Sequence, residues 1–310
     1  MSEFKYSPSM YVPFRDMKVI ERCRKIKRED IEKHPNPEFK IKVMKTGQIG
    51  LLWITDVFAR IKESDDKNKK VIMILPNPCP AYSQVAFLIN KFKVNCRNLN
   101  VFAMDEYANE DGVVAPETWK FGFIYSLKKY LLYSIDKKLR PKEKQFVGPT
   151  TENVKDYGRM ITDMGNADIC YSGPGWTGHL AFIEPDAPEF DYPLDEWRKL
   201  GPRIVTLSPF TLAQNSLHGF FGKSGDLAAV PPKAFTIGPA EIIASKNRIE
   251  CSSITVHGTT TSWERMIARL CYHGPVTPKL PTSILQELRT DVYISEENAQ
   301  NVEPDWNKEY

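Results

Sequence analysis

The chain predicts an α/β fold, a doubly wound and mainly parallel sheet flanked by helices. Three observations predict it. Short continuous apolar runs, Val71–Leu75 and Leu99–Met104, have the length and composition of strands covered on both faces. Between them lie stretches with helical apolar spacing, first Leu51, Leu52, Ile54, Val57, Phe58 and Ile61, then Tyr82–Phe92. A third apolar run, Ala167–Tyr171, leads into Ser172-Gly173-Pro174-Gly175-Trp176-Thr177-Gly178-His179. Such a glycine-rich turn belongs at the carboxyl ends of strands, where an open α/β sheet binds its ligands.

The elements follow in order. Residues 1–40 are charged and proline-punctuated, with Cys23–Lys33 as a surface helix, and read as an extension wrapped on the domain or as an oligomer contact. A homo-oligomer is expected. The domain proper is expected over 41–310. Its first helix spans 48–63, its first strand Val71–Leu75, its second helix Tyr82–Phe92 and its second strand Leu99–Met104. A long aromatic helix is expected from Glu117 to Ile135, with Pro116 in the place prolines favour at a helix start. Thr151 can cap a helix running to Met164. After the central loop, 186–202 reads as an irregular surface segment. Arg203–Leu207 and Lys233–Gly238 read as strands joined by a glycine-rich loop, 252–256 as a further strand, and Trp263–Tyr272 as an amphipathic helix.

Composition bounds the function. With 310 residues and 42% hydrophobic content the chain can bury a sizeable core. A formal net charge of +3 does not indicate a nucleic acid or a membrane surface as partner, and no apolar run is long enough to span a bilayer. The six cysteines are scattered without a Cys-x-x-Cys pair, which predicts reduced core thiols in a cytoplasmic protein, without structural zinc or a disulfide frame.

Candidate chemistry gathers at three places. His179 and Glu184 close the glycine loop, an imidazole able to move protons near neutrality and a carboxylate able to orient it. The same residues would also suit a tight turn with a solvated His. Asp105 follows directly on a buried strand, where partial burial would raise its pKa toward that of a useful base; alone it would equally cap a turn. Gly258-Thr259-Thr260-Thr261 stands between a strand and a helix and offers N–H groups and hydroxyls to an anion, or simply a cap. It lacks the lysine of a nucleotide-binding P-loop.

Met104-Asp105-Glu106-Tyr107, the segment Gly173–Pro185 ending Gly-His-Leu-Ala-Phe-Ile-Glu-Pro, and Gly274-Pro-Val-Thr-Pro-Lys-Leu-Pro-Thr-Ser-Ile-Leu-Gln together resemble the glucosamine-6-phosphate deaminase/isomerase family over roughly residues 45–290. The resemblance implies a Rossmann-like fold of the sugar-phosphate isomerase type and a small sugar or sugar phosphate as partner, with no cofactor and no metal. It implies that Asp105 shuttles a proton between C2 and C1 of an open-chain amino sugar through an enediol. His179 would assist ring opening and Glu184 would hold its imidazole. Asn77, Cys79, Glu106, Gly175, Trp176, Thr177, Gly178, Gly258, Thr259 and Thr261 would line the substrate site. The related 6-phosphogluconolactonases share a similar glycine loop but lack the Asp-Glu-Tyr and Ala-Phe-x-Glu-Pro runs.

Departures from the family pattern fall at the histidine loop and, mostly, at the phosphate contacts. Thr177 stands where the family has an Asp two residues before the His. Asn77-Pro78-Cys79-Pro80-Ala81 replaces a Thr-Gly-Gly-Thr-Pro phosphate loop, removing two backbone donors and the glycine flexibility. Leu217 and Thr261 occupy the places of the phosphate arginine and lysine. The proton-transfer residues are kept and the phosphate contacts are not. An enzyme with altered substrate is expected, or else a non-catalytic sugar-binding or regulatory relative.

Overall fold

The computed structural model describes residues 4, 6–76, 80–255, 259 and 261–304. Its frame is a seven-stranded sheet in the order β1-β10-β9-β6-β2-β3-β5, every pairing parallel. In chain order the strands are β1 Phe39–Met44, β2 Val71–Leu75, β3 Leu99–Ala103, β4 Asp105–Ala108, β5 Phe146–Val147, β6 Ile169–Ser172, β7 Arg203–Thr206, β8 Lys233–Thr236, β9 Arg248–Ser252 and β10 Thr290–Ser295. β4, β8 and β7 form a second, antiparallel sheet.

The continuous apolar run of β2 is explained by its place in the sheet. Ile72 and Ile74 join one core cluster while Val71, Met73 and Leu75 join the other, so both faces are covered. The helices among the described residues are α1 Met17–Arg24, α2 Thr46–Asp66, α3 Tyr82–Phe92, α4 Phe123–Tyr130, α5 Tyr157–Asp163, α6 Leu194–Trp197, α7 Pro209–Ser216, α8 Pro239–Ala244, α9 Glu264–His273 and α10 Glu296–Ala299. None of the described helices is long and apolar enough to cross a membrane. Residues 1–40 contribute α1, whose Ile20 and Cys23 are buried and whose Arg22 guanidinium donates to the His273 carbonyl on α9.

Several elements differ from expectation, each for a physical reason. The aromatic helix begins at Phe123 rather than Glu117, because its first turn is held by a distant carboxylate: Glu106 accepts from the N–H groups of Phe123 and Ile124 at 3.0 and 2.8 Å. The helix expected from Thr151 starts at Tyr157, and the Thr151 hydroxyl instead accepts from the Val114 N–H at 2.9 Å. The strand expected at 252–256 is β9, four residues earlier. It carries buried Arg248 and Glu250, and the Arg248 guanidinium is satisfied by main-chain oxygens, Ile242 at 2.9 Å among them. The strands expected at Arg203–Leu207 and Lys233–Gly238 pair antiparallel, outside the main sheet. The loop between them contains α7, started by Ser208, whose hydroxyl accepts from the Phe210 N–H.

Candidate active site

β6 delivers the glycine loop. Gly175 and Gly178 are required there for different reasons. A Cβ on Gly175 would lie 1.9 Å from His179 Nε2, so only glycine lets the imidazole sit on this stretch of backbone. Gly178 has φ +81, and Ala181, also left-handed at φ 55, turns the chain just beyond the histidine. The loop is pinned from behind by the 3-10 segment Pro281–Glu287: Thr282 donates its N–H to the Gly178 carbonyl and its hydroxyl to that of His179, both at 3.0 Å. The Pro-Thr-Ser-Ile-Leu-Gln motif therefore shapes the histidine loop.

His179 and Glu184 are 4% and 1% exposed. Nδ1 of the imidazole lies 3.0 Å from the Thr211 hydroxyl, 3.4 Å from that of Thr177 and 3.4 Å from Glu184 Oε2. The Thr177 hydroxyl also donates to Glu184 Oε2 at 3.3 Å, and Glu184 Oε1 accepts from the Ser208 N–H at 3.4 Å. The loop's own residues and the start of α7 thus enclose one imidazole with one carboxylate and two hydroxyls. Trp176 is anchored through its N–H to Gln214 Oε1 at 2.8 Å, and its indole is 40% exposed. His218, just after α7, is held neutral: burial, then the nearby His179, pushes its imidazole down to about 4. Thr211, Gln214 and His218 had no local signal, since they sit in a segment whose glycines read as loop.

Asp105 opens β4 and is 6% exposed, and its Oδ1 has no hydrogen-bond partner among the described residues. Burial, reinforced by the Glu106 charge, raises its carboxyl well above the ordinary range. β4 is tied to the histidine loop. Asp105 pairs across the sheet with Thr236, whose hydroxyl accepts from the Phe182 N–H at 3.1 Å. The Phe182 ring in turn lies 6.1 Å from His179 and 6.0 Å from Tyr107. Tyr107 carries a hydrogen bond from Asn215 of α7 at 2.9 Å.

Glu106, expected beside the substrate, is 0% exposed, and its oxygens accept from the N–H groups of Tyr107, Phe123 and Ile124. Its carboxylate fastens β4 to α4. Thr259 and Thr261 are exposed and linked by a 3.1 Å bond from the Thr261 N–H to the Thr259 hydroxyl. α9 begins at Glu264, after these threonines, and that residue's buried carboxyl accepts from Ile254, Ser252 and Asn298. Asn77, Cys79 and Gly258 lie outside the described residues. Among the described residues there is no grouping of three or more His, Cys, Asp or Glu side chains suited to a metal.

No family model matches the chain. It is 30% identical to the glucosamine-6-phosphate deaminase of Lactobacillus helveticus over 217 residues, 68% of this chain and 77% of that protein. Alignments with other curated glucosamine-6-phosphate deaminases span from 47% to 84% of those proteins. In fold it is similar to a monomeric glucosamine-6-phosphate deaminase of the NagB superfamily, with TM-score 0.64 and 20% identity over 84% of this chain and 98% of that one. A 6-phosphogluconolactonase from Leishmania guyanensis gives TM-score 0.59 and 13% identity over 85% and 98% of the two chains. Glucosamine-6-phosphate deaminases and 6-phosphogluconolactonases share this fold, and the sequence relatives named above are deaminases: the chain belongs to the glucosamine-6-phosphate deaminase family, as a divergent member.

Proposed function

We infer that this chain is a sugar isomerase-deaminase acting on an amino sugar, or a related aldose, that it does not recognise through a 6-phosphate. The observation carrying the reading is the buried oxygen of Asp105, unpartnered among the described residues, with its carboxyl raised well above the ordinary range. A carboxyl in that state can take a proton from carbon and return it. Asp105 would remove the C2 proton beside the open-chain aldehyde and deliver it to C1. The resulting imine takes up water and releases ammonia, leaving the ketose. His179 would move a proton at the ring oxygen during ring opening, oriented by Glu184 and by the Thr177 and Thr211 hydroxyls.

The neutral Leu217 and Thr261, in the places the family resemblance gives to basic residues, support the altered substrate. Charge-assisted bonds hold a phosphate strongly, and neither of these two side chains carries a charge. The reading is tested by ammonia release from free and phosphorylated amino sugars with wild type and Asp105→Asn. Turnover by wild type that the variant loses supports it, and equal turnover by the two rejects it. A non-catalytic sugar-binding role is favoured by one feature, Thr177: a hydroxyl lies 3.4 Å from the imidazole, and it cannot supply the charge of an aspartate. Calorimetric binding of a sugar without ammonia release would establish that role.

A further inference from the structure

A cleft of about 610 Å³ adjoins the glycine loop, lined by Trp176, Leu217, Thr261, Trp263, Arg265 and Met266 among others. That size falls within the span of small-molecule sites, roughly 300–1,000 Å³. It joins the site already described through Trp176, which lies three residues before His179. The Trp176 indole, 40% exposed, stacks on Trp263 at 5.7 Å with 23° between the planes. Leu217, 38% exposed, and Met266 extend the apolar surface. Polar groups are sparse and mostly neutral: the hydroxyls of Thr261 and Ser262, and the buried Nε1–H of Trp263, which has no hydrogen-bond partner among the described residues. Among the described residues the lining holds one cation, Arg265, which donates to Gln300 at 3.2 Å.

This lining discriminates between possible occupants. A phosphate dianion needs several charge-assisted donors; Arg265 is engaged with Gln300, and the two indoles, the leucine and the methionine add no charge. An aliphatic chain would suit the indoles but would strip water from the hydroxyls. A pyranose ring meets both demands. Its C–H face is apolar and flat enough to lie on an indole, and its hydroxyls pair with neutral donors around the rim.

We propose that the cleft holds a neutral pyranose ring stacked on Trp176, so that the ligand is an amino sugar bearing a glycosyl substituent where its relatives' ligands bear a phosphate. The inference rests on the amino-sugar reading above and deepens it. It is tested by titrating the full chain calorimetrically with glucosamine, glucosamine 6-phosphate, glucosamine glucosylated at O6, and methyl glucoside. The disaccharide is expected to bind at least about tenfold more tightly than glucosamine, and the phosphate ester no more tightly than glucosamine. Trp176→Ala should erase the disaccharide's advantage, and Trp176→Phe should retain most of it. A phosphate ester that outbinds the disaccharide, or a disaccharide no tighter than glucosamine, overturns the cleft assignment and leaves the amino-sugar reading standing. Methyl glucoside bound through Trp176 with no amino sugar bound overturns the amino-sugar reading and keeps the ring on the indole. Failure of every probe to bind overturns both.

Discussion

The two ends of the candidate site are built on opposite plans. At one end Asp105, Thr177, His179 and Glu184 are each under one-tenth exposed and are held by β4, β8, α7 and the 3-10 segment Pro281–Glu287. At the other end Trp176 and Leu217 are more than one-third exposed, and the lining is apolar and nearly neutral. Proton transfer depends on geometry and on a low dielectric, so its groups must be buried and fixed from several sides. A substituent remote from the reacting carbons has only to be bound, and many surfaces can do that. Within one fold the second end can therefore be rebuilt while the first is kept.

The largest effect should come from breaking the buried end. Asp105→Asn keeps the shape and removes the proposed base, and it should lower ammonia release on the best amino sugar about 10²–10⁴-fold. Unchanged turnover would mean that burial at this end serves the fold alone.

Next in size is a test of what that burial costs. Glu250, on β9 behind the glycine loop, accepts hydrogen bonds from Ser172 and Tyr272 and is fully buried; desolvation pushes its carboxyl up to about 8. Its folded-state pKa is raised, so the protonated form stabilises the fold below about 4.5, and that contribution is lost as pH rises toward about 8. Glu250→Gln should abolish this loss. Urea denaturation at pH 5 and pH 8 should show wild type falling by a few kcal/mol more than the variant between the two. Parallel curves would remove Glu250 from the account.

The exposed end should be easier to convert. Leu217→Arg with Thr261→Lys puts two cations at the cleft and should raise affinity for glucosamine 6-phosphate about tenfold or more, in a salt-sensitive way. Calorimetry at low and high salt reads both features. The smallest effect is expected at Thr177, which already bonds to Glu184 at 3.3 Å. Thr177→Asp should change turnover less than about tenfold, because a second carboxylate beside Glu184 helps the imidazole but adds like-charge repulsion. A change of several hundredfold would show that the threonine is the main determinant of activity.

Legibility followed the range of the interactions. Val71–Leu75 and Tyr82–Phe92 lie where apolar run and helical spacing put them, since both patterns are local consequences of burial. β4 was not legible: Asp105-Glu106-Tyr107 places two carboxylates in a strand, and only pairing with β8 makes it one. β10 and β1 were also missed. β1 alternates lysines with apolar residues across the expected boundary between extension and domain, and its partner lies some 250 residues away. α7 was hidden by the glycines that follow it and by its polar sequence, yet it supplies Thr211 and Gln214. Glu106 shows the reverse case, a carboxylate beside a candidate base whose three backbone partners could not be foreseen from its neighbours.

By itself the sequence determined the alternation of strands and helices, the glycine loop with its histidine, the family, and neutral residues at 217 and 261. Those are properties of residue type and short spacing. Only the tertiary structure decided which hydroxyls enclose His179, which strand carries Asp105, and that two tryptophans meet to wall a cleft. Apart from Thr177, two positions from His179, such pairings join residues tens to more than a hundred positions apart. Sheet register and helix packing bring them into contact, and no local pattern encodes either.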